Sequence, residues 1–496
     1  MAIPKGRFLY HGALACLFGH ALAASAQQDP ATPLGQAVEA AANNSALQTV
    51  TGDAVNQTCG ELVPEYAQTS NPRLPPTSAE EALFFRCSDM VGTALGLLGQ
   101  PGIGTDLGWS NEQLAEGMQQ LTGEEQVSKG RLATEGSNGQ FANIGMRLDA
   151  IRAGARATAG GLSLAYNGAP VAGGNAGDDG TGWGWFLNGA MGSGDRDATQ
   201  REDDYDYDSY GATLGFDYQF ESGLVAGFAL GYHDYEVDFA NVSSFQTGPQ
   251  LTNTQAGGGF DTDGYALSGY AIGHVGRFYI DGLVSVGQSD IDSERIVRYN
   301  GSASGQGTGQ NLVVDRSMRG STDSDTYSLG VSTGTSFEMG WADLSLDLGV
   351  SYVDVSIDGY TEKDIARGND TNEFSGLNLA YDDQDFDSLQ SSLGFQLSRA
   401  YSVSSGVLLP YLNAAWRHEF ENESSTMKAR YAAQDSGQVF NLNVVTDDPD
   451  EDFYEVGLGL SAVFANNIQA FVDYRTTLDL DKVDAQLFTV GIRGSF

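Results

Sequence analysis

The 496-residue chain carries 65 acidic against 25 basic residues, a formal net charge of −40. That excludes a phosphate-reading nucleic-acid binder, which needs clustered Lys and Arg. Disorder is also excluded, because aromatics make up 10% of the chain and supply apolar surface to bury.

In chain order, the first 26 residues read as a secretory signal. Lys5 and Arg7 start it, "ALACLFGHALAA" is its apolar stretch, and "ASA" at 24–26 is the small-residue cleavage site. Mature protein is predicted from Gln27. Cys16 also allows a lipoprotein reading, against which Ala13 stands where a large aliphatic residue is preferred. Either way the chain leaves the cytoplasm. The mature chain keeps Cys59 and Cys87, and an even cysteine count in an oxidising compartment predicts one disulfide. A metal reading lacks an accompanying His or second Cys pair.

Residues 27–130 read as a small, mainly helical passenger or periplasmic domain. In "SAEEALFFRCSDMVGTALGLLG" (78–99) Ser78 caps a helix with Glu80 and Glu81 in its first turn. "SNEQLAEGMQQL" (110–121) repeats the pattern, with Ser110 as cap and Leu114, Met118 and Leu121 at helical spacing. Residues 131–160 predict a further helix, whose stripe is Phe141, Ile144, Leu148 and Ile151, with Arg147, Arg152 and Arg156 off it. The Gly-rich segment 161–182 reads as a flexible linker.

From Trp183 to Phe496 the pattern becomes strict alternation. "LVAGFALGYH" puts Leu224, Ala226, Phe228, Leu230 and Tyr232 on one face and Val225, Gly227, Ala229, Gly231 and His233 on the other. "YSLGVSTGTSF" (327–337) and "YEVGLGLSAVF" (454–464) behave likewise. Apolar faces with aromatic ends, backed by small or polar faces, fit a lipid-facing band around a wet lumen. About twelve such strands are countable, and an even number closes an antiparallel barrel. Short connections ("GR" 276–277, "GW" 340–341, "ANN" 465–467) alternate with long polar ones at 240–258, 294–322, 361–385 and 421–452. Short periplasmic turns and long external loops mark an outer-membrane barrel. The predicted fold is an all-β transmembrane barrel, preceded by a pore helix and a helical N-terminal region.

Residues 131–496 resemble the autotransporters, the type V secretion family. The carriers, in order, are "NIGMRLDAIR", "WGWFLNGAMGSGDRD", "ARYAAQDSGQVFNLNVVTDDPDEDFYEVGLGL", "FVDYRTTLD" and a terminal Phe. The resemblance implies a twelve-stranded translocator domain of the Gram-negative outer membrane with a helix threaded through its pore. It also implies insertion by the barrel assembly machinery, which reads the last strand. On that strand Phe488, Val490, Ile492 and Phe496 share the apolar face, and Gly494 departs from the aromatic or large apolar residue usual there. Alternation turns Asp281, Glu419, Glu455 and Asp473 inward. Opposite charges attract strongly in a narrow pore, so at least one of Arg147, Arg152 and Arg156 is expected to meet an inward carboxylate. A periplasmic linker with solvated arginines is the alternative.

No enzyme is expected. The lipase members' N-terminal Gly-Asp-Ser motif is absent, and the mature histidines, His233, His274 and His418, all fall in the barrel region, so residues 27–130 cannot hold a Ser–His–Asp triad. "GVSTG" (330–334) matches a nucleophile elbow by letter, but it lies inside an alternating strand. Self-cleaving members carry two adjacent Asn in the pore helix, whereas Asn143 lies between Ala142 and Ile144. The acidic runs 195–208 and 447–452 read as solvated loops or as divalent-cation binders beside lipopolysaccharide. No cofactor is implied. Expected partners are outer-membrane lipid, lipopolysaccharide and the assembly machinery. Two functions follow: a barrel that anchors, and possibly exports, its own N-terminal region, or a plugged pore with a periplasmic N-terminal domain.

Overall fold

Alternation is realised as twelve antiparallel strands: β1 (Gly182–Arg196), β2 (Tyr205–Gln219), β3 (Val225–Phe239), β4 (Gly258–Val275), β5 (Phe278–Ser302), β6 (Asn311–Glu338), β7 (Asp343–Ile357), β8 (Gln384–Ser398), β9 (Gly406–Glu419), β10 (Asp452–Phe464), β11 (Ile468–Leu478) and β12 (Val483–Ser495). In this computed structural model each strand pairs with the next, and β12 pairs with β1 from Ser495↔Gly184 to Val483↔Arg196, so the ring is closed. The structure describes residues 32–42, 44–66, 76–101, 106–123, 126, 128–159, 165–166, 169–170, 182–239, 241–242, 255–302, 311–368, 370–404, 406–434, 442–464 and 468–495. The expected signal peptide, most of the expected linker and Phe496 lie outside those residues.

Outward positions carry the large apolar side chains. Leu230, Leu267, Val284, Leu348 and Leu458 are all exposed, as a lipid-facing band requires. Tyr210, Tyr232, Tyr265, Tyr327 and Tyr454 ring the band toward the long loops, and Trp183, Phe278 and Trp341 ring it near the short turns. The lumen face pairs glycines with aromatics across strands. Gly215 faces Phe186, Gly227 faces Tyr270, Gly334 faces Tyr279 and Gly459 faces Tyr411. A Cβ at any of these glycines would lie within 2.1–2.6 Å of the partner ring, so each ring lies flat across the neighbouring strand.

The long connections contain more structure than their polarity suggests. Segment 294–322, expected as a loop, belongs mostly to β5 and β6, which are 25 and 28 residues long. Its buried arginines reach carboxylates outside the segment: Arg295 and Arg316 are fully buried and pair with Glu362 and Asp370. Within 361–385 and 421–452, Leu379–Tyr381, Thr426–Tyr431 and Leu442–Val445 join Tyr360–Thr361 in a separate four-stranded sheet.

Among the described residues five helices precede the barrel: α1 (Pro33–Glu39), α2 (Ala46–Tyr66), α3 (Ala79–Leu97), α4 (Asn111–Thr122) and α5 (Ser128–Ala159). Ser78 caps α3 by accepting from the Glu81 amide, and Ser110 forms a capping box with Gln113 on α4. Helices α1–α4 share one buried core with the long-loop end of the barrel. Leu34, Met90, Leu114 and Met118 pack in the same cluster as Val297, Tyr299, Met318, Leu379 and Tyr431.

Candidate functional site: the lumen helix and its outer cap

Helix α5 occupies the lumen. Lys129 at its start stands near the long-loop end, where its ammonium meets the Tyr360 hydroxyl at 3.0 Å and lies 4.5 Å from the centre of that ring. Arg152 reaches Asp281, four residues from the short turn at 276–277. At 1.5 Å per residue, that stretch of helix spans on the order of 35 Å, enough to cross the band.

The two sides of α5 differ. Phe141, Ile144, Leu148 and Ile151 pack on Phe186, Val225, Ala229, Tyr270, Ile272, Tyr279 and Leu283 from β1, β3, β4 and β5. The opposite side borders a cavity of about 570 Å³ lined by Asp149, Arg152, Asp347, Arg417, Glu455 and Arg475 among others. Between Phe141 and Ile151 the helix is held against β1 and β3–β5 by apolar burial, while its backbone also approaches β7 and β8.

The charges sort into two groups. Arg147 is fully buried and donates to both Asp217 oxygens at 2.6 and 2.7 Å, while the Tyr270 hydroxyl donates to Asp217 at 2.9 Å. Arg152 pairs with Asp281 and with Asp149 of its own helix at 2.6 Å, and lies 4.0 Å from the centre of the Tyr279 ring. Ser332, the serine of "GVSTG", donates to Asp281 at 2.8 Å. The remaining carboxylates named from the sequence meet partners on the wall. Glu455 pairs with Arg417 at 2.7 Å and Asp473 with Arg475 at 2.8 Å. Glu419 accepts from Ser388, from the Leu389 amide and from Gln390 at 2.7, 2.9 and 3.1 Å. Arg156 lies within α5, but its side chain is outside the described residues.

Sequence reasoning overlooked Asp217. It alternates with Phe216 and Tyr218 and so turns inward, a signal of the same kind as the one that selected Asp281. Among the other functional candidates, His233 sits on the lumen wall with Nε2 2.9 Å from Ser289 Oγ. Asn143 is buried, donating to Thr213 at 3.2 Å while its backbone oxygen accepts from Asn188 at 3.0 Å.

At the long-loop end the cap, α1–α4, is tied to the barrel by buried polar contacts. Trp109 donates to the Asn300 carbonyl at 2.7 Å. Arg295 pairs with Glu362 at 2.6 and 3.0 Å and donates to the Gln120 carbonyl of α4 at 2.8 Å. Arg316 pairs with Asp370 at 2.8 Å. Cys59 and Cys87 form a disulfide joining α2 to α3. Between β1 and β2, burial beside Asp204, with Glu116 of α4 facing it, pushes the Asp203 carboxyl up to about 7.

On β12, Phe488, Val490 and Ile492 point outward and are exposed. Gly494 faces Trp185 of β1, and a Cβ there would lie 2.8 Å from the indole nitrogen. An aromatic from the neighbouring strand thus covers the position where the resemblance leads one to expect a large residue.

The family profile described as Autotransporter beta-domain matches residues 185–475. Among solved structures, the translocator domain of autotransporter NalP from Neisseria meningitidis is similar at 15% identity and a TM-score of 0.45, covering 72% of this chain and 98% of that one. The beta domain of the Bordetella autotransporter BrkA is similar at 16% identity and a TM-score of 0.38, covering 64% of this chain and 100% of that one. The transport unit of AIDA-I from Escherichia coli follows at 14% identity and a TM-score of 0.36, covering 64% of this chain and 90% of that one. No curated protein matches the chain.

Proposed function

This chain belongs to the autotransporter family, with its β-domain at 185–475, and from that premise we propose that residues 32–123 are exported and then retained as a folded lid on the outer mouth. The protein is an outer-membrane barrel of a Gram-negative bacterium. The observation that carries the proposal is the shared core. Leu34, Met90 and Leu114 of the lid are buried against Tyr299, Leu379 and Tyr431 of the long-loop end. Long loops face outward in outer-membrane barrels. Helix α5 is the strand of cargo left in the pore, with its chain running from the lid to the short-turn end. The lid acts by display or by covering the mouth, without catalysis.

The test is an epitope tag after Asp29, probed on intact cells with antibody and external protease. Surface labelling with the lid still attached after washing supports a retained lid. Labelling only after the outer membrane is opened would make this a plugged barrel with a periplasmic domain.

The outward faces of β12, with Phe488, Val490 and Ile492, are the surface offered to the assembly machinery. For lipopolysaccharide, a recurring pattern supports the reading. One outward position beyond the outer tyrosine ring stands an aspartate: Asp208 beyond Tyr210, Asp234 beyond Tyr232, Asp263 beyond Tyr265, Asp325 beyond Tyr327, Asp354 beyond Tyr352 and Asp452 beyond Tyr454. Several face each other directly across strands, as in Asp234↔Asp263, Asp263↔Asp290 and Asp354↔Asp387. Like charges so placed repel. Among the described residues no group of three or more has the arrangement of a metal site, so the belt would share divalent cations with lipid phosphates. Melting in lipopolysaccharide-containing vesicles should rise with magnesium and fall with chelator. An unchanged melting temperature would remove this partner reading.

A further inference from the structure

Eleven of the twelve strand pairs join neighbours in sequence, so covalent connections hold them near each other. The pair β12–β1 has no such tether and must be closed by pairing alone, at the full entropic cost of bringing the two ends of the barrel together. Two polar side chains on the lumen side of this seam leave the wall and bind the helix backbone. Arg493 of β12 donates to the Met146 carbonyl at 2.8 Å, and Asn188 of β1 donates to the Asn143 carbonyl at 3.0 Å. Both carbonyls lie in the interior of α5, where each oxygen has a second lone pair beyond the one used by the helix. In register, Asn188 faces Gly491 and Arg493 faces Phe186, so the two donors are diagonal neighbours across the seam.

The surroundings fit that role. Arg493 is oriented by the Gln469 side chain, which accepts from it at 2.8 Å, and lies 5.0 Å from the centre of the Phe471 ring. Gln469 in turn donates to Ser461 of β10. Gly491 leaves the room Asn188 needs, because a Cβ there would lie 2.3 Å from the Asn188 side-chain oxygen. On the other side, Asn143 donates to Thr213 of β2 and Thr213 donates to Gln140 of α5 at 2.8 Å. A polar belt therefore runs β10–β11–β12, passes through two turns of α5, and continues to β1 and β2. The helix backbone is the link where the covalent wall is missing.

We propose that α5 is a clamp on the closing seam: Arg493 and Asn188 are positioning residues through which the seated helix holds β12 against β1. This goes beyond the lid proposal and does not depend on which side of the membrane the lid occupies. By linkage, helix seating and barrel closure stabilise one another, since the two donors converge on the helix only when their strands are paired.

The test is amide hydrogen exchange on the folded full-length chain in detergent, comparing seam amides in 187–191 and 488–492 with those of the tethered β3–β4 pair. In R493M/N188A the seam amides should exchange at least about tenfold faster, because a buried charged hydrogen bond and a neutral one are lost, while β3–β4 stays unchanged. R493K, which keeps a donor, should restore most of the protection. Unchanged seam exchange in the double variant overturns the proposal, and so does equal acceleration at both pairs. If the double variant does not fold, N188A alone is read by the same two criteria.

Discussion

The membrane band and the cap at its long-loop end are built from the same chain by opposite means. In the band, each strand obeys a two-residue period, apolar side chains face lipid, and the interior holds one helix beside a cavity. In the cap, apolar residues from α1, α2, α3 and α4 meet residues of β5, β6 and the four-stranded sheet in one core. The band depends on a repeating local rule, and the cap on contacts between segments up to several hundred residues apart. Both bury arginine–carboxylate pairs, but to different ends. Arg147–Asp217 fixes a helix within a wall, whereas Arg295–Glu362 ties a helical layer to the strands beneath it.

That comparison can be broken at either pair, and the lumen pair should show the larger effect. Asp217→Asn strands Arg147 without its counter-charge in a site closed on all sides. The expected loss is about 3–5 kcal/mol, read as a drop in the melting temperature of the folded barrel, with R147M/D217N recovering part of it. Equal melting of wild type and D217N would show that the helix is not held there. Glu362→Gln leaves Arg295 unpaired in the cap, where the nearby carbonyls of Gln120 and Leu377 still accept from it. About 2–4 kcal/mol should be lost, and it should appear as protease sensitivity of α1–α4 with barrel melting unchanged. If the barrel melts with the cap, the two regions are one cooperative unit and the comparison fails.

Replacing Cys59 and Cys87 by Ala opens a crosslink with a sequence separation of 28 and should cost the cap about 3 kcal/mol in the chain-entropy view. Reductant on the native chain should reproduce the same proteolysis pattern. A further effect concerns pH. The Asp203 carboxyl is raised to about 7 in the folded chain, above the ordinary aspartate value near 4 that applies unfolded. Between those values the folded state holds more protons, so this group makes the cap less stable as pH rises from about 4 to about 7, with no further change above. Cap proteolysis followed across that range should show this slope in wild type and lose it in D203N.

The parts legible in the sequence were those with a local period. Twelve strands, the inward and outward faces, the caps at Ser78 and Ser110, and the α5 stripe all follow from spacings of two, three and four residues. Alternation also turned Asp281 inward, and would have done the same for Asp217. It could not say which inward charge meets which. Glu455 and Asp473 face the lumen by the same rule as Asp281, yet they meet Arg417 and Arg475 of the wall. The reason is that a cavity separates α5 from Glu455, Arg417 and Arg475, so the wall charges pair with one another rather than with the helix.

What the sequence determined alone is the barrel, because a strand's two faces are set by its own residues and the lipid or water each face meets. What only the tertiary structure decided is the cap. Polar stretches such as 294–322 are soluble loops when read locally, and become buried strand when Arg295 and Arg316 find Glu362 and Asp370. A buried ion pair is the property of two distant positions, and no window along the chain contains both.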